Sequence, residues 1–288
     1  MRQLSYQPTP IQELFDEVFD KAGVRVLIKR EDLNHPHVSG NKWWKLKYNL
    51  EEAHRQGKTT LLTFGGAYSN HIYATAAAAR ELGFESIGII RGEETLPLNP
   101  TLTFAKGCGM RLHYVSRGVY RRKEEPVFAE MLHEQFGDFY LIPEGGTNEL
   151  AVKGVAEFAR TLGTDFDYLC CAVGTGGTIA GLISGLAGKK QVIGFPVLKG
   201  AFYLPENIKR LLKAPYDNWI LNHGYHLGGF AKMPAQLKAF SRDFEHQHGI
   251  KTDLVYTAKL LWAVLQEIES GKFERGSTIM VLHSGGIA

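Results

Sequence analysis

Cysteine is scarce in this chain. Only Cys108, Cys170 and Cys171 occur among 288 residues, and none forms a CxxC pair. That excludes an even disulfide framework and implies a reducing compartment. No stretch approaches the roughly 18 apolar residues of a membrane span. The polar start, Met1 to Gln7, lacks the apolar run of a secretory signal, so a cytoplasmic protein is expected. Charge of one sign is also missing: the net charge is only +3. The run Arg117, Arg121, Arg122, Lys123 is followed at once by Glu124 and Glu125 and reads as a solvated helix face, so nucleic acid is not an expected partner. His35-Pro36-His37 and His246-Gln247-His248 have no acidic or cysteine partner at helical spacing, and no metal is expected.

What the chain has in abundance is glycine, 32 residues, much of it placed after apolar runs. Strand-like segments alternate with helical ones: Val24 to Ile28, then Trp43 to Gln56; Thr60 to Phe64, then an alanine-rich helix ending near Leu82. Further strands read at Ser86 to Ile90, Arg111 to Val115, Phe139 to Ile142, Tyr168 to Val173, Gln191 to Val197 and Thr278 to Leu282. A single charged helix is expected over Arg117 to Phe136. This alternation predicts an α/β fold of mostly parallel sheets with helices on both faces. Gly65-Gly66, Gly174 to Gly177 and Gly285-Gly286 fall at strand ends, where open α/β sheets bind ligands.

Three segments carry candidate chemistry. In Ser39-Gly40-Asn41-Lys42, Lys42 falls in the first turn of a helix for which Ser39 or Asn41 is a natural cap. The positive end of the helix dipole lowers the affinity of that amine for a proton, which suits attack on an aldehyde. Lys45 lies one turn along the same face; taken alone, the pair reads equally as two solvated lysines. Ser69-Asn70-His71 opens another helix, as a plain cap or as a grip for a carboxylate. Gly174-Thr175-Gly176-Gly177-Thr178 joins an apolar strand to a helix and places free N–H groups around one anion. It is neither a P-loop, since no Gly-Lys-Ser/Thr follows, nor a dinucleotide fingerprint, since Ile179 stands where the third glycine is needed. A phosphate cradle and a tight structural turn are the two readings.

Together with Lys29-Arg30-Glu31-Asp32-Leu33, Val255-Tyr256-Thr257 with Lys259, and His283-Ser284-Gly285-Gly286, these segments resemble the 1-aminocyclopropane-1-carboxylate deaminase/D-cysteine desulfhydrase family. Its members are tryptophan-synthase-β-like, fold-type II pyridoxal-phosphate enzymes. The resemblance implies pyridoxal 5'-phosphate as cofactor, bound covalently by Lys42 and held at its phosphate by Lys45 and Gly174 to Thr178. It implies Asn70 beside the ring hydroxyl, Ser69 beside the substrate carboxylate and amine, and Tyr256 near the reacting carbons. Tyr225, in Gly224-Tyr225-His226, falls where the family places a second active-site tyrosine. Two lobes are implied, residues 1–45 with 141–288 forming the larger and 46–140 the smaller, in a homodimer.

The sequence departs from the deaminase pattern at Thr257, where those enzymes carry glutamate. A neutral hydroxyl, from Thr257 or Ser284, offers the ring nitrogen a hydrogen bond without a fixed charge, which suits β-elimination better than cyclopropane opening. Trp44 and Tyr73 stand where relatives carry arginines. The expectation is a lyase acting on a small amino acid, D-cysteine first, giving pyruvate, ammonia and sulfide; 1-aminocyclopropane-1-carboxylate deamination is the alternative. A pyridoxal-phosphate-binding protein without efficient turnover, and an α/β module for another phosphate ligand, are the readings from other classes.

Overall fold

The computed structural model describes residues 3–286. The chain starts with an antiparallel pair, β1 (Ile11–Leu14) and β2 (Arg25–Arg30), joined through α1 (Glu17–Ala22). After α2 (Asn41–Arg55) come β3 (Thr60–Gly66), α3 (Asn70–Leu82), β4 (Glu85–Arg91), α4 (Pro100–Gly107) and β5 (Arg111–Val115). Then follow α5 (Arg117–Arg121), α6 (Pro126–Phe136), β6 (Tyr140–Ile142) and α7 (Glu149–Arg160). The last third holds β7 (Tyr168–Val173), α8 (Gly177–Leu186), β8 (Gln191–Pro196), α9 (Leu204–Leu211), β9 (Trp219–Leu221), α10 (Ala235–His248), α11 (Thr257–Glu269) and β10 (Thr278–His283).

These strands form two sheets. The larger has the order β1-β2-β10-β7-β8-β9, parallel except for β1; the smaller has the order β5-β4-β3-β6 and is parallel throughout. The larger sheet is apolar on both faces, as a parallel sheet covered by helices requires. Val26, Ile28, Cys170 and Val281 face one core cluster, while Leu27, Cys171, Met280 and Leu282 face another. Cys170 and Cys171 thus point to opposite faces, and burial pushes both thiols up, Cys171 to about 12. The second cluster continues through Leu61, Tyr140 and Ile142 of the smaller sheet, so one apolar core ties the two sheets together.

Two expectations change. The charged segment is two helices, because Pro126 lacks an N–H and holds Glu125 extended (φ −76°, ψ 137°); Pro126 then opens α6 in the first-turn position that proline tolerates. A lobe boundary at 140/141 would cut β6, whose Leu141 and Ile142 pair with Leu62 and Thr63 of β3. Helix α2 packs on α7. Trp44 packs on Phe158 of α7 with ring centroids 5.4 Å apart, and Lys47 and Tyr48 both bind Glu157.

Candidate active site

The carboxyl ends of both parallel sheets open on one cavity of about 1020 Å³. Its wall holds Lys42 and Lys45 from α2, Ser69 to His71 from the start of α3, Gly174 to Gly176 and Thr178 from the glycine turn, Tyr256, and Ser284 to Gly286. Residues from five distant parts of the chain converge here because each lies just after a strand or at a helix start.

The start of α2 is set from outside the helix. Neither Ser39 nor Asn41 caps it; the cap is Gly40, with φ +67°, a conformation that residues with a Cβ rarely adopt. A Cβ there would lie 1.9 Å from the carbonyl oxygen of Ser284, so only glycine permits the approach. Through it the Asn41 amide donates to that same carbonyl (3.1 Å), fixing Lys42 against the end of β10. The Asn41 side chain donates to Thr178 Oγ1 (2.8 Å), fixing Lys42 to the start of α8. Asn34 completes the brace, accepting from the Gly40 amide at 2.8 Å and donating to its carbonyl at 3.0 Å.

Burial lowers the Lys42 amine to about 8, partly opposed by the negative charge of Asp253. At pH 7 an amine of that kind is neutral in about one-tenth of molecules, against well under one-thousandth for a free lysine. The rate at which pyridoxal phosphate attaches to Lys42 should therefore rise nearly tenfold per pH unit up to pH 8 and level off above it. Borohydride trapping across pH 6 to 11 measures this; a midpoint above pH 10 would refute it. Lys45 is lowered further by burial and by the charge of Lys42. Its Nζ donates to the Gly145 carbonyl and to Thr147 Oγ1 (2.9 Å), which fixes it beside the glycine turn.

At the start of α3 the Ser69 hydroxyl accepts from the amides of His71 and Ile72 (3.2 and 3.3 Å), leaving its own proton free to donate. His71 is buried and bonds Thr63 Oγ1 through Nε2 at 2.8 Å. Thr63 gives its single proton to the Ile142 carbonyl, so His71 must be the donor and Nδ1 carries the lone pair. Burial and the charges of Lys42 and Lys45 hold His71 well below its usual range, as a neutral ring.

The glycine turn offers what a phosphate needs. No side chain caps α8, and the N–H groups of its first turn have no intrahelical acceptor. Gly176 takes φ +90°; a Cβ there would point at Ile208 of α9 (3.0 Å), so its glycine serves the turn rather than space for the anion. Gly177, turned against Thr147, contributes backbone only. Thr175 Oγ1 meets Thr147 Oγ1 at 2.5 Å beside Lys45. Tyr256 packs over Gly174: a Cβ on that glycine would lie 3.3 Å from the tyrosine oxygen. Burial and nearby Asp253 push Tyr256 upward, so its hydroxyl keeps its proton.

Three expected residues lie elsewhere. Tyr225 is outside the cavity wall: its ring packs edge-on against Phe195 of β8 and its hydroxyl donates to Glu267 Oε1 of α11 at 2.6 Å. Thr257 is buried below the wall, its hydroxyl donating to Asp253 Oδ2 (2.8 Å); of the two candidate hydroxyls, Ser284 is the one at the cavity. Trp44 points into the core, donating to buried Glu31 at 2.6 Å, so it does not shape the pocket, whereas Tyr73 does line it. Sequence reasoning passed over Thr147 and Asp253. The second carried a signal, an Asx-type cap just ahead of α11: its carboxylate accepts the amides of Val255, Tyr256 and Thr257 at 2.9, 2.8 and 3.0 Å.

A buried amine, a helix start that can bind a carboxylate and an uncapped glycine turn in one cavity define an enzyme site for a phosphorylated aldehyde cofactor. A family profile described as "Pyridoxal-phosphate dependent enzyme" matches residues 2–285, and the chain belongs to that family. Its relatives place it in the 1-aminocyclopropane-1-carboxylate deaminase/D-cysteine desulfhydrase branch. One, from Thermotoga maritima and named "Putative 1-aminocyclopropane-1-carboxylate deaminase", is 32% identical over 99% of this chain and 95% of its own. The Arabidopsis thaliana "Bifunctional D-cysteine desulfhydrase/1-aminocyclopropane-1-carboxylate deaminase, mitochondrial" is 30% identical over 99% of this chain and 77% of its own. A crystal structure titled as an ACC deaminase homologue superposes with a TM-score of 0.83 at 29% identity, covering 99% of this chain and 91% of that one. Among the described residues, no helix is long and apolar enough to cross a membrane.

Proposed function

We propose that this chain is a lyase of small amino acids that removes the β-thiol of D-cysteine, consuming one water and releasing pyruvate, ammonia and sulfide. The observation that carries the reading is the Lys42 amine, lowered to about 8, opening into the cavity that holds Ser69, Tyr256 and the glycine turn. The residues fit pyridoxal phosphate: Lys42 for its aldehyde, Gly174 to Thr178 with Lys45 for its phosphate, Asn70 for its ring hydroxyl and Ser284 for its ring nitrogen. When bound, the cofactor supplies an electron sink for charge that builds on the substrate α-carbon.

The chain's own groups do the rest. The free proton of Ser69, at the positive end of the α3 dipole, orients the substrate carboxylate. Lys42, through the neutral form that burial makes accessible near pH 7, takes the α-proton. Tyr256, still protonated, donates to the departing sulfur. Ser284 brings no charge to the ring nitrogen, and Thr257 is committed to Asp253, which favours elimination over cyclopropane opening. The family resemblance supports a homodimer, and three unpaired cysteines support a cytoplasmic location.

A panel of D- and L-cysteine and 1-aminocyclopropane-1-carboxylate, assayed for sulfide and keto acid, decides among the alternatives. Sulfide from D-cysteine should form at least about tenfold faster than keto acid from the cyclopropane substrate, a transition-state difference of about 1.4 kcal/mol. The reverse order would assign the deaminase activity. A visible cofactor band with no product from any member would assign a binding protein.

A further inference from the structure

Two motifs have no part in the chemistry above: Arg30-Glu31-Asp32, and His283 at the end of β10. The fold brings them together below the cavity. His283 is 1% exposed, and its Nε2 lies 2.7 Å from the Lys251 carbonyl, which can only accept, so Nε2 carries a proton. Its Nδ1 lies 3.3 Å from Asp32 Oδ1, and that side chain is also 1% exposed. Arg30 holds the same carboxylate from its other side, Nε at 2.9 Å and Nη2 at 2.7 Å. A bare Nδ1 lone pair facing a buried carboxylate oxygen would be repulsive and would leave Nδ1 without a partner. A proton on Nδ1 turns the same contact into an attraction between an imidazolium and a carboxylate, an ion pair at 3.3 Å.

We propose that His283 is a positioning residue for Lys42 and Tyr256, protonated on both ring nitrogens and joining Asp32 to the Lys251 carbonyl. The inference rests on the roles proposed above for those two side chains. On one side of His283, the next residue, Ser284, accepts from the Asn41 amide and so sets Lys42. On the other, Lys251 leads in two residues to Asp253, which accepts the Tyr256 amide. Arg30 and Asp32 are the charged side chains that meet this ring assembly, so the imidazolium, the guanidinium and the carboxylate form one buried array.

Nitrogen NMR of imidazole-labelled wild-type protein at pH 7 reads the proposal directly. Protons on both His283 nitrogens are expected, and a bare Nδ1 would overturn it. Two variants then test position. His283→Gln keeps a donor for Lys251, and His283→Asn keeps one for Asp32; each loses the other link. Both should fold, yet attach pyridoxal phosphate to Lys42 about tenfold or more slowly, because small displacements of a reacting group are costly. Attachment at the wild-type rate in either variant would overturn the proposal, whatever its melting temperature. Should the variants fail to fold, the NMR result decides. Attachment needs no amino-acid substrate, so a failure of D-cysteine turnover would count against the proposed reaction and leave this test standing.

Discussion

Lys42→Ala is expected to abolish covalent attachment of pyridoxal phosphate and reduce turnover to background while leaving the fold intact. The first part follows from the placement of the other amines nearby. Lys45 spends its protons on the Gly145 carbonyl and Thr147, and Lys47 binds Glu157 on the far face of α2. Neither is free to replace Lys42. The second part follows from linkage. A lysine lowered from 10.5 to about 8 binds fewer protons folded than unfolded between those values, so it makes stability rise with pH across that window. Below pH 8 the penalty for burying the charged amine is fully present, and removing the amine removes that penalty. The apoprotein variant should therefore melt at or above the wild-type temperature at pH 7. Peptide mapping after borohydride reduction checks the attachment site, and calorimetry checks the fold. Label on Lys45 or Lys47 would refute the assignment.

Local signals were legible in the sequence where local physics decides. Glycine after an apolar strand marked the cavity ends, and Ser69 read correctly as a cap. The first turn of α2 read less well, because Gly40 is required by a contact with Ser284, 244 residues away in the chain. Sheet order was not legible either, since β10 enters between β2 and β7 and nothing near residue 280 reveals its neighbours. Proline at 126 should have divided the charged segment, but the run of charges on both sides hid the break. Tyr225 and Thr257 were placed by motif, and motif gives spacing along the chain rather than direction in space. Each turned to a nearby carboxylate, Glu267 or Asp253, because a partly or wholly buried hydroxyl needs a partner. His283 was legible as a motif letter only; its role depends on Asp32 arriving from the other end of the chain.

Thr257→Glu restores the residue found in the deaminases, yet the structure predicts damage rather than a switch of activity. Thr257 is 1% exposed, and its amide and hydroxyl both donate to Asp253 Oδ2, at 3.0 and 2.8 Å. Glutamate would replace that donor with a second carboxylate beside the first. The hydrogen bond is lost, and two like charges must share a desolvated site at the start of α11. Loss of about 3 kcal/mol is expected, within the range for a broken buried polar contact with an uncompensated charge. Because Asp253 also accepts the Tyr256 amide, the same strain should move that side chain and slow sulfide release from D-cysteine at least about tenfold. Asp253→Asn isolates the cause. If repulsion between the two carboxylates dominates, the double variant Asp253→Asn/Thr257→Glu will be more stable than the sum of the single changes implies, since contacting residues are not additive. Denaturant unfolding of the four apoproteins measures that coupling, and product assays with D-cysteine and 1-aminocyclopropane-1-carboxylate measure the rates. A Thr257→Glu protein with wild-type stability and strong cyclopropane opening would show that residue 257 can turn to the cofactor, and would return the choice of reaction to that single position.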